Sequence, residues 1–288
     1  MRTRLLWSIL INIIITIFEI VIGLISGSLA LISDAVHNFT DVGSLTLSWW
    51  GDKISAKAPT PNKTYGFKRA EILIAFINSL VLIVVVVLIA KEAIMRLANP
   101  QQLSGGLVAI TATIALFGNG LATFILKKHS HDNLNMKSAW LHSFQDAIFS
   151  LGVIIGAILI YFFHWNIIDP IISILLSIFI AREAYKILKD AINILMESVP
   201  GDLDAEVIKN FLKKTPGIES VHDLHIWQTD SNSRFLSVHI MTKNLDNTKR
   251  AQLLNLLQEN FEKEFKIRHT TIQIDQDNPL PLNCNHCN

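Results

Sequence analysis

The segment SGSLALISDAVHNFTDVGSLTLSWW, residues 26–50, places ionisable side chains inside a largely apolar stretch. His37 and Asp41 lie in a run that is long enough to cross a bilayer, which takes about 20 residues as a helix. A second apolar run repeats the pattern H-x-x-x-D with His142 and Asp146. Because lipid makes ionisable groups costly, each such group inside a span indicates a functional site.

The four-residue spacing within each pair predicts a metal site. Residues i and i+4 lie on one helix face, so each helix can offer one imidazole and one carboxylate to a common point. Two such helices, side by side, supply the two nitrogens and two oxygens that Zn²⁺ accepts as four ligands. The set lacks the thiolates that suit Cu(I) and the six oxygens that suit Mg²⁺ or Ca²⁺. The alternative is two unrelated His–Asp pairs, each a local hydrogen-bonded feature.

Composition predicts that most of the chain lies in a membrane. Of its 288 residues, 50% are apolar and only 17% charged, whereas about one residue in four is charged in soluble domains. This excludes a single soluble globule, a disordered chain and a secreted disulfide scaffold, and the net charge of +1 gives no reason to expect nucleic acid as a partner. Six apolar stretches predict six transmembrane helices, at about Leu5–Ile25, Leu29–Trp50, Ile72–Ala90, Leu107–Leu126, Trp140–Phe163 and Ile167–Leu188.

The loops predict the orientation. Lys and Arg concentrate before the first stretch, in the second and fourth loops and at the end of the sixth stretch, whereas Ser26–Ser28 and His164–Asn166 contain none. Because basic loops stay in the cytoplasm, both termini and the C-terminal domain are expected there, in a multi-pass protein of the cell (inner) membrane.

After Pro200-Gly201 the chain reads as a small soluble domain. The expected organisation is a transmembrane domain over residues 1–200, a cytosolic domain over 201–277 and a tail over 278–288. Hydrophobic periodicity within the second domain predicts an αββαβ order, an α+β domain of ferredoxin-like type. The predicted elements are a helix over Asp202–Lys214 capped by Asp202, strands over Val221–Gln228 and Phe235–Met241, a helix over Thr248–Phe265 and a strand over Thr270–Ile274.

The tail ends in two cysteines, Cys284 and Cys287, three residues apart with His286 between them. A cytosolic compartment keeps such thiols reduced, and C-x-x-C is a two-ligand clip for soft metals. A thioredoxin-like redox role is disfavoured because no helix or βαβ unit follows the pair.

Taken together, these motifs resemble the cation diffusion facilitator family, which includes bacterial zinc-efflux carriers and vesicular zinc transporters. The resemblance spans nearly the whole chain and rests on Ser26–Asp41, the run YGFKRAE at Tyr65–Glu71, His142–Asp146 and Asp169-Pro170. It implies a homodimer with the transport site on the second and fifth spans. One difference is Lys68, which stands where many relatives have a histidine, so a second metal site in this loop is not expected.

The resemblance also implies a metal site in the cytosolic domain. Four residues match family positions near strand ends that bind zinc: His222, His239, His269 and Asp275. The alternative is that these are ordinary sheet histidines that bind nothing. Relatives with a C-terminal cysteine pair use it to complete a site with such histidines.

The predicted function is zinc export by proton-coupled antiport through His37, Asp41, His142 and Asp146. Imidazole holds a proton or a metal near neutral pH, so zinc binding would expel protons. Zinc is thus expected as substrate and as a ligand of the cytosolic domain. The alternatives are a passive zinc channel or uptake carrier, and a membrane-anchored metal sensor. An enzyme is not expected, since the H-E-x-x-H motif of zinc proteases does not occur.

We also expect Arg69 and Glu197 to form a charge pair that braces the dimer.

Overall fold

The computed structural model describes residues 2–55, 57–127, 134–242 and 245–275. The chain divides into two compact units. The first comprises Met1–Trp50 and Ala75–Leu188, and the second comprises Gly51–Ile74 and Lys189–Asn288. The loop between the second and third helices therefore belongs to the same unit as the C-terminal domain.

Each of the six apolar stretches is a helix of 23 to 30 residues. Within the described residues, two segments, Arg69–Ala98 and Ser143–Phe163, are long and apolar enough to cross a bilayer by length and composition alone, and Asn12–Ser26 and Gly105–Leu121 are shorter apolar helices. That all six helices span the membrane stays a prediction. Their bounds are α1 Arg2–Ser26, α2 Leu29–Ser55, α3 Arg69–Ala98, α4 Gly105–Lys127, α5 Leu134–Phe163 and α6 Ile168–Leu195.

A buried carboxylate fixes the start of α2 against the start of α6. Asp169 accepts hydrogen bonds from the Ser28 hydroxyl, from the Leu29 amide at 2.8 Å and from the Ala30 amide at 3.3 Å. The first amides of a helix have no partner within the helix, so a carboxylate at this end satisfies them and complements the helix dipole. Gly27, with φ of 71°, makes the tight turn from α1 that this arrangement requires.

The C-terminal domain has the predicted αββαβ order, and the ferredoxin-like assignment stays a prediction. Strand β1 pairs with β2 in antiparallel fashion, and β2 pairs with β3 in parallel, so α8 is the crossover connection between them. Apolar residues of both helices and all three strands form one core. The bounds are α7 Ala205–Lys214, β1 Ile218–Gln228, β2 Arg234–Thr242, α8 Asn247–Phe265 and β3 His269–Asp275.

The cap predicted for the first cytosolic helix was wrong by two residues. Asp204, not Asp202, is the N-cap of α7, and its carboxylate accepts from the Glu206 amide at 2.8 Å. Asp202 instead receives two hydrogen bonds from the Arg234 guanidinium, at 2.9 and 3.0 Å. Both aspartates can cap a helix, but the first of them is engaged by Arg234, whose Nη2 contacts both oxygens of the Asp202 carboxylate.

The loop before α3 is tied to the C-terminal domain by charge. Lys68 pairs with Asp230 at 3.3 Å and contacts the Ser233 hydroxyl, both in the turn between β1 and β2. Arg69 pairs with Glu197, which confirms the predicted contact within one chain; its role in a dimer stays a prediction. These contacts link Gly51–Ile74 to the rest of the second compact unit.

Replacing Asp169 with Asn should destabilise the first compact unit (the membrane unit), because an amide is a weaker acceptor than a carboxylate for the Ser28, Leu29 and Ala30 donors. A hydrogen bond to a charged group is worth about 1.5–3 kcal/mol, so the loss should lower the apparent melting temperature of the detergent-solubilised chain by several degrees. Asp190→Asn, which alters an exposed carboxylate of the same helix, is the matched control and should melt like the unmodified chain. Equal melting of all three proteins would contradict the anchoring role of Asp169.

Candidate functional site

The structure brings together one residue from each predicted intramembrane pair. Nε2 of His37 on α2 lies 3.4 Å from Oδ1 of Asp146 on α5. The Asp146 side chain is fully buried and that of His37 is 11% exposed. A buried carboxylate is stable only when it is protonated, paired with a cation or bound to a metal, and this imidazole is a partner that can accept either a proton or a metal.

Aromatic rings enclose the imidazole. The His37 ring packs edge-on against Phe149 of α5 and Phe179 of α6, with centroid distances of 5.9 and 6.2 Å. Phe149 and Phe179 also contact each other at 4.8 Å. These two rings limit the orientations open to the imidazole and, being apolar, lower the local dielectric, which strengthens its interaction with a nearby charge.

The side chains of Asp41 and His142 lie outside the part of the chain that the structure describes. Their backbones are helical in α2 and α5, so Asp41 follows His37 by one turn and His142 precedes Asp146 by one turn. Each lies on the same helix face as its described neighbour. The two complete pairs, and with them the four-ligand site, stay a prediction.

A buried polar contact beside this pair was not predicted. The Asn38 amide on α2 donates to Oε2 of Glu19 on α1 at 3.0 Å, and both side chains are almost completely buried. Asn38 directly follows His37, so the contact joins α1 to α2 at the level of the candidate site. Glu19 is ionisable and lies in an apolar run, which is the signal that marks it in the sequence. Nothing in the sequence marks Asn38 as its partner.

Three cytosolic candidates converge on one point. Ligand atoms of His222, His239 and Asp275 all lie within 4.8 Å of one another. Oδ2 of Asp275 is 2.9 Å from Nε2 of His222 and 3.4 Å from Nδ1 of His239. Two imidazoles and a carboxylate are three ligands of the type that Zn²⁺ takes, which leaves one position for a fourth.

The sheet register explains why these three residues meet. His222 on β1 is paired with His239 on β2, so both side chains leave the same face. Asp275 on β3 is paired with Met241, two positions beyond His239, and lies diagonally beside the histidine pair. The half-buried side chains, 17% to 28% exposed, leave the point accessible to an ion from solvent.

His269 does not belong to this group. It is paired with Phe235 at the first position of β3, and its ring packs against the Phe235 ring at 5.2 Å. Asp275 is six residues further along the strand, roughly 20 Å at about 3.3 Å per residue. Cys284 and Cys287, like the whole tail from residue 276, lie outside the described residues.

Two further residues border the cytosolic group and were not among the predicted ligands. Oδ2 of Asp223 lies 3.6 Å from Nε2 of His239, and Oδ1 lies 2.9 Å from Nε2 of His225. Asp223 has a positive φ of 53°, where the pairing of β1 with β2 shifts register. Sequence periodicity places residues 222 and 223 on opposite faces of a strand, so no pattern in the sequence indicates this contact.

The pKa of two carboxyls in this unit is lowered by their surroundings. Burial alone raises the pKa of Asp275, but a hydrogen bond from the Gln273 amide and the imidazoles of His239 and His222 outweigh it. Burial likewise raises the pKa of Asp230, and amide and hydroxyl donors of Asn232 and Ser233, together with the Lys68 ammonium, bring it below its ordinary value. Both carboxyls are therefore held in the anionic form.

Two family models match the chain. The model described as the cation efflux transmembrane domain matches residues 5–196, and that of the cation efflux protein cytoplasmic domain matches residues 200–277. The boundary between them coincides with the composition change near Pro200.

Curated relatives cover most of the chain. It is 35% identical over 259 residues to the zinc transporter ZitB of Shigella flexneri, covering 89% of this chain and 82% of the relative. It is 36% identical over 264 residues to a cadmium, cobalt and zinc/H⁺-K⁺ antiporter of Bacillus subtilis strain 168, covering 91% and 85%. Among solved structures, the metal-bound C-terminal domain of the CzcD transporter aligns with 26% of this chain and all of that chain, at 32% identity and a TM-score of 0.24.

The lowered pKa of Asp230 predicts a pH-dependent stability. The carboxylate stabilises the fold above its unfolded pKa of about 3.9, and this contribution is lost as the pH falls through the lower folded value. Asp230→Asn should therefore melt below the unmodified chain at pH 7, and the difference should narrow below about pH 4. Thermal unfolding of the full chain in detergent between pH 7 and 3 measures it.

Glu219→Gln, which alters an exposed carboxylate on β1, is the control and should melt like the unmodified chain at neutral pH. A deficit in Asp230→Asn that stays constant across the whole pH range would contradict the assignment.

Proposed function

The chain belongs to the cation efflux family, and from this premise we propose that it exports Zn²⁺ from the cytoplasm in exchange for protons. The observation that carries the proposal is the buried contact between His37 of α2 and Asp146 of α5. The relatives named above as transporters of zinc, or of cadmium, cobalt and zinc, favour a divalent transition metal as the substrate.

The contact between His37 and Asp146 supports a site of four ligands. Under the predicted topology α2 and α5 run in opposite directions. When His37 of one helix faces Asp146 of the other, the remaining residues, one turn away on each, also face each other. Asp41 and His142 then complete a set of two nitrogens and two oxygens, the tetrahedral coordination that Zn²⁺ prefers. Co²⁺ and Cd²⁺ accept the same ligands with differing strain, so they are expected as competing substrates.

Proton coupling follows from the ligands. An imidazole that binds zinc must lose the proton that it would otherwise carry, so each zinc that enters the site releases protons. Exposure of the site first to one membrane face and then to the other converts this competition into exchange. Asp41 and Asp146 offset the charge of the bound ion, which an apolar surround would otherwise make prohibitive.

The packing of Gly51–Ile74 with the C-terminal domain supports the orientation. That segment contains the basic loop that the distribution of Lys and Arg assigns to the cytoplasm. A domain that packs with this loop lies on the same side of the membrane. Both termini, and the metal group of His222, His239 and Asp275, are then cytoplasmic. As the family resemblance implies, the cytoplasmic domain assembles a homodimer.

We also propose that His222, His239 and Asp275 bind zinc as a resident ion of the cytoplasmic domain. Three convergent ligands leave a fourth position, and the thiolates of Cys284 or Cys287 in the tail are of the right chemistry to fill it. Cytoplasmic zinc would then be sensed by the domain while the intramembrane site transports it.

Asp146→Asn should abolish transport, because the amide cannot supply the negative charge that the bound ion requires. The assay uses purified protein in liposomes that enclose a zinc dye and a pH dye, with the membrane potential clamped. Zinc added outside should enter and make the lumen more alkaline with the unmodified chain. With Asp146→Asn both signals should fall to those of protein-free liposomes.

The control is Asp190→Asn, which should transport normally. Zinc entry without a change of lumenal pH would identify a passive channel, and the absence of zinc entry with the unmodified chain would favour a sensor. Normal transport by Asp146→Asn would contradict the intramembrane site.

His222→Ala should remove one bound zinc per chain from the detergent-solubilised protein, as measured by isothermal titration calorimetry. His269→Ala is the matched control, since it removes a histidine of the same sheet that lies far from the group, and it should bind zinc normally. The same loss in both variants, or in neither, would contradict the cytoplasmic zinc site.

A further inference from the structure

Asp223 occupies a backbone conformation that few residue types tolerate. Its φ of 53° is in the left-handed region, where Asp and Asn are enriched among residues other than Gly. The pairing of β1 with β2 is regular up to His222 and resumes in a different register at His225, which is a β-bulge. A bulge bends the strand and redirects the side chain of the extra residue, and such bulges are frequent next to functional sites.

The bulge brings the Asp223 carboxylate to the far side of the His239 ring. Nδ1 of His239 faces Oδ2 of Asp275 at 3.4 Å, and Nε2 of the same ring faces Oδ2 of Asp223 at 3.6 Å. The imidazole thus lies between two carboxylates, one of which belongs to the candidate metal group and one of which does not. The other oxygen of Asp223 contacts His225 at 2.9 Å, which holds the carboxylate in place.

A neutral imidazole carries its proton on one nitrogen and offers the other to a metal. Histidine ligands of metal sites usually donate their second N–H to a carboxylate or a carbonyl, and this partner fixes the tautomer and the orientation of the ring. A carboxylate beside Nε2 stabilises the proton there. Nδ1, which faces Asp275, is then the nitrogen left for the ion.

We propose that Asp223 is the positioning residue of the cytoplasmic zinc site, which selects Nδ1 of His239 as the metal-binding nitrogen. The proposal rests on the proposed zinc site of His222, His239 and Asp275. Asp223 touches the ring from outside the group and not the ion itself. The left-handed backbone of Asp223 has a role in this proposal, because the bulge that it forms directs the carboxylate toward Nε2 of His239.

The test measures zinc binding by the full chain in detergent, with Asp146→Asn present throughout to remove the intramembrane site. Asp223→Asn is the informative variant, because Asn tolerates the left-handed backbone but lacks the charge. Zinc should bind with the same stoichiometry and about 10–100-fold lower affinity, the usual cost of losing such a partner. Glu219→Gln, on the same strand, is the matched control and should bind like the parent.

Nitrogen-15 NMR of labelled histidine supplies a second readout that a merely structural role would not alter. In the zinc-bound parent, His239 should carry its proton on Nε2; in Asp223→Asn, the two tautomers should mix. The melting temperature without zinc should be similar in both proteins.

Three results would overturn the proposal. Unchanged affinity in Asp223→Asn would assign the residue to the bulge alone. Loss of a bound zinc, with the remaining one at full affinity, would make Asp223 a direct ligand of a second ion. Absence of zinc binding in the parent chain that carries Asp146→Asn would contradict the cytoplasmic site itself. This result is distinguishable from the first two because it is seen in a protein whose Asp223 has not been replaced.

Discussion

The structure of the membrane unit depends on the cost of keeping Asp146 away from water. A carboxylate in an apolar surround is strongly destabilising unless a proton, a cation or a good partner offsets its charge. The imidazole of His37, on a different helix, is one such partner, so the stability of this pair depends on how α2 and α5 are placed. In the proposed exchange, an ion that replaces protons here would change the charge of the group, and with it the free-energy difference between alternative arrangements of the two helices.

Other polar contacts of the same unit hold α2 where this pair needs it. The cap from Asp169 fixes the first turn of α2, about two turns before His37, and the contact between Asn38 and Glu19 fixes the helix against α1. Each is a hydrogen bond to the carboxyl group of a buried side chain, where such bonds are directional and costly to break. His37 thus lies on a helix, α2, that is fixed both at its first turn and at Asn38.

Much of this organisation can be read from the sequence. It follows from the periodicity of apolar and polar residues along helices and strands, and from the free-energy cost of burying ionisable groups. The four-residue spacing of His37 and Asp41, and the alternation of the later strands, specify faces of regular elements, and both the helices and the αββαβ order were predicted. What could not be predicted depends on irregularity or on partners far apart in the chain. The bulge at Asp223 breaks the alternation that sequence analysis assumes, and His269 shares a strand with Asp275 yet lies too far along it. The cap by Asp169 joins residues 140 positions apart.

Lys68 lies in the YGFKRAE run, at the position where the family resemblance implies a histidine in many relatives. Its ammonium contacts Asp230 and Ser233. A histidine at this position could bind a metal ion, and a contact made through that ion would form and break with the concentration of dissolved metal. The Lys68 side chain binds through its ammonium charge and needs no metal, so dissolved salt, and not a chelator, weakens its contact with Asp230. In this chain the loop before α3 is therefore held to the turn between β1 and β2 by an ion pair, whose strength depends on the ionic strength and not on the zinc supply of the cell.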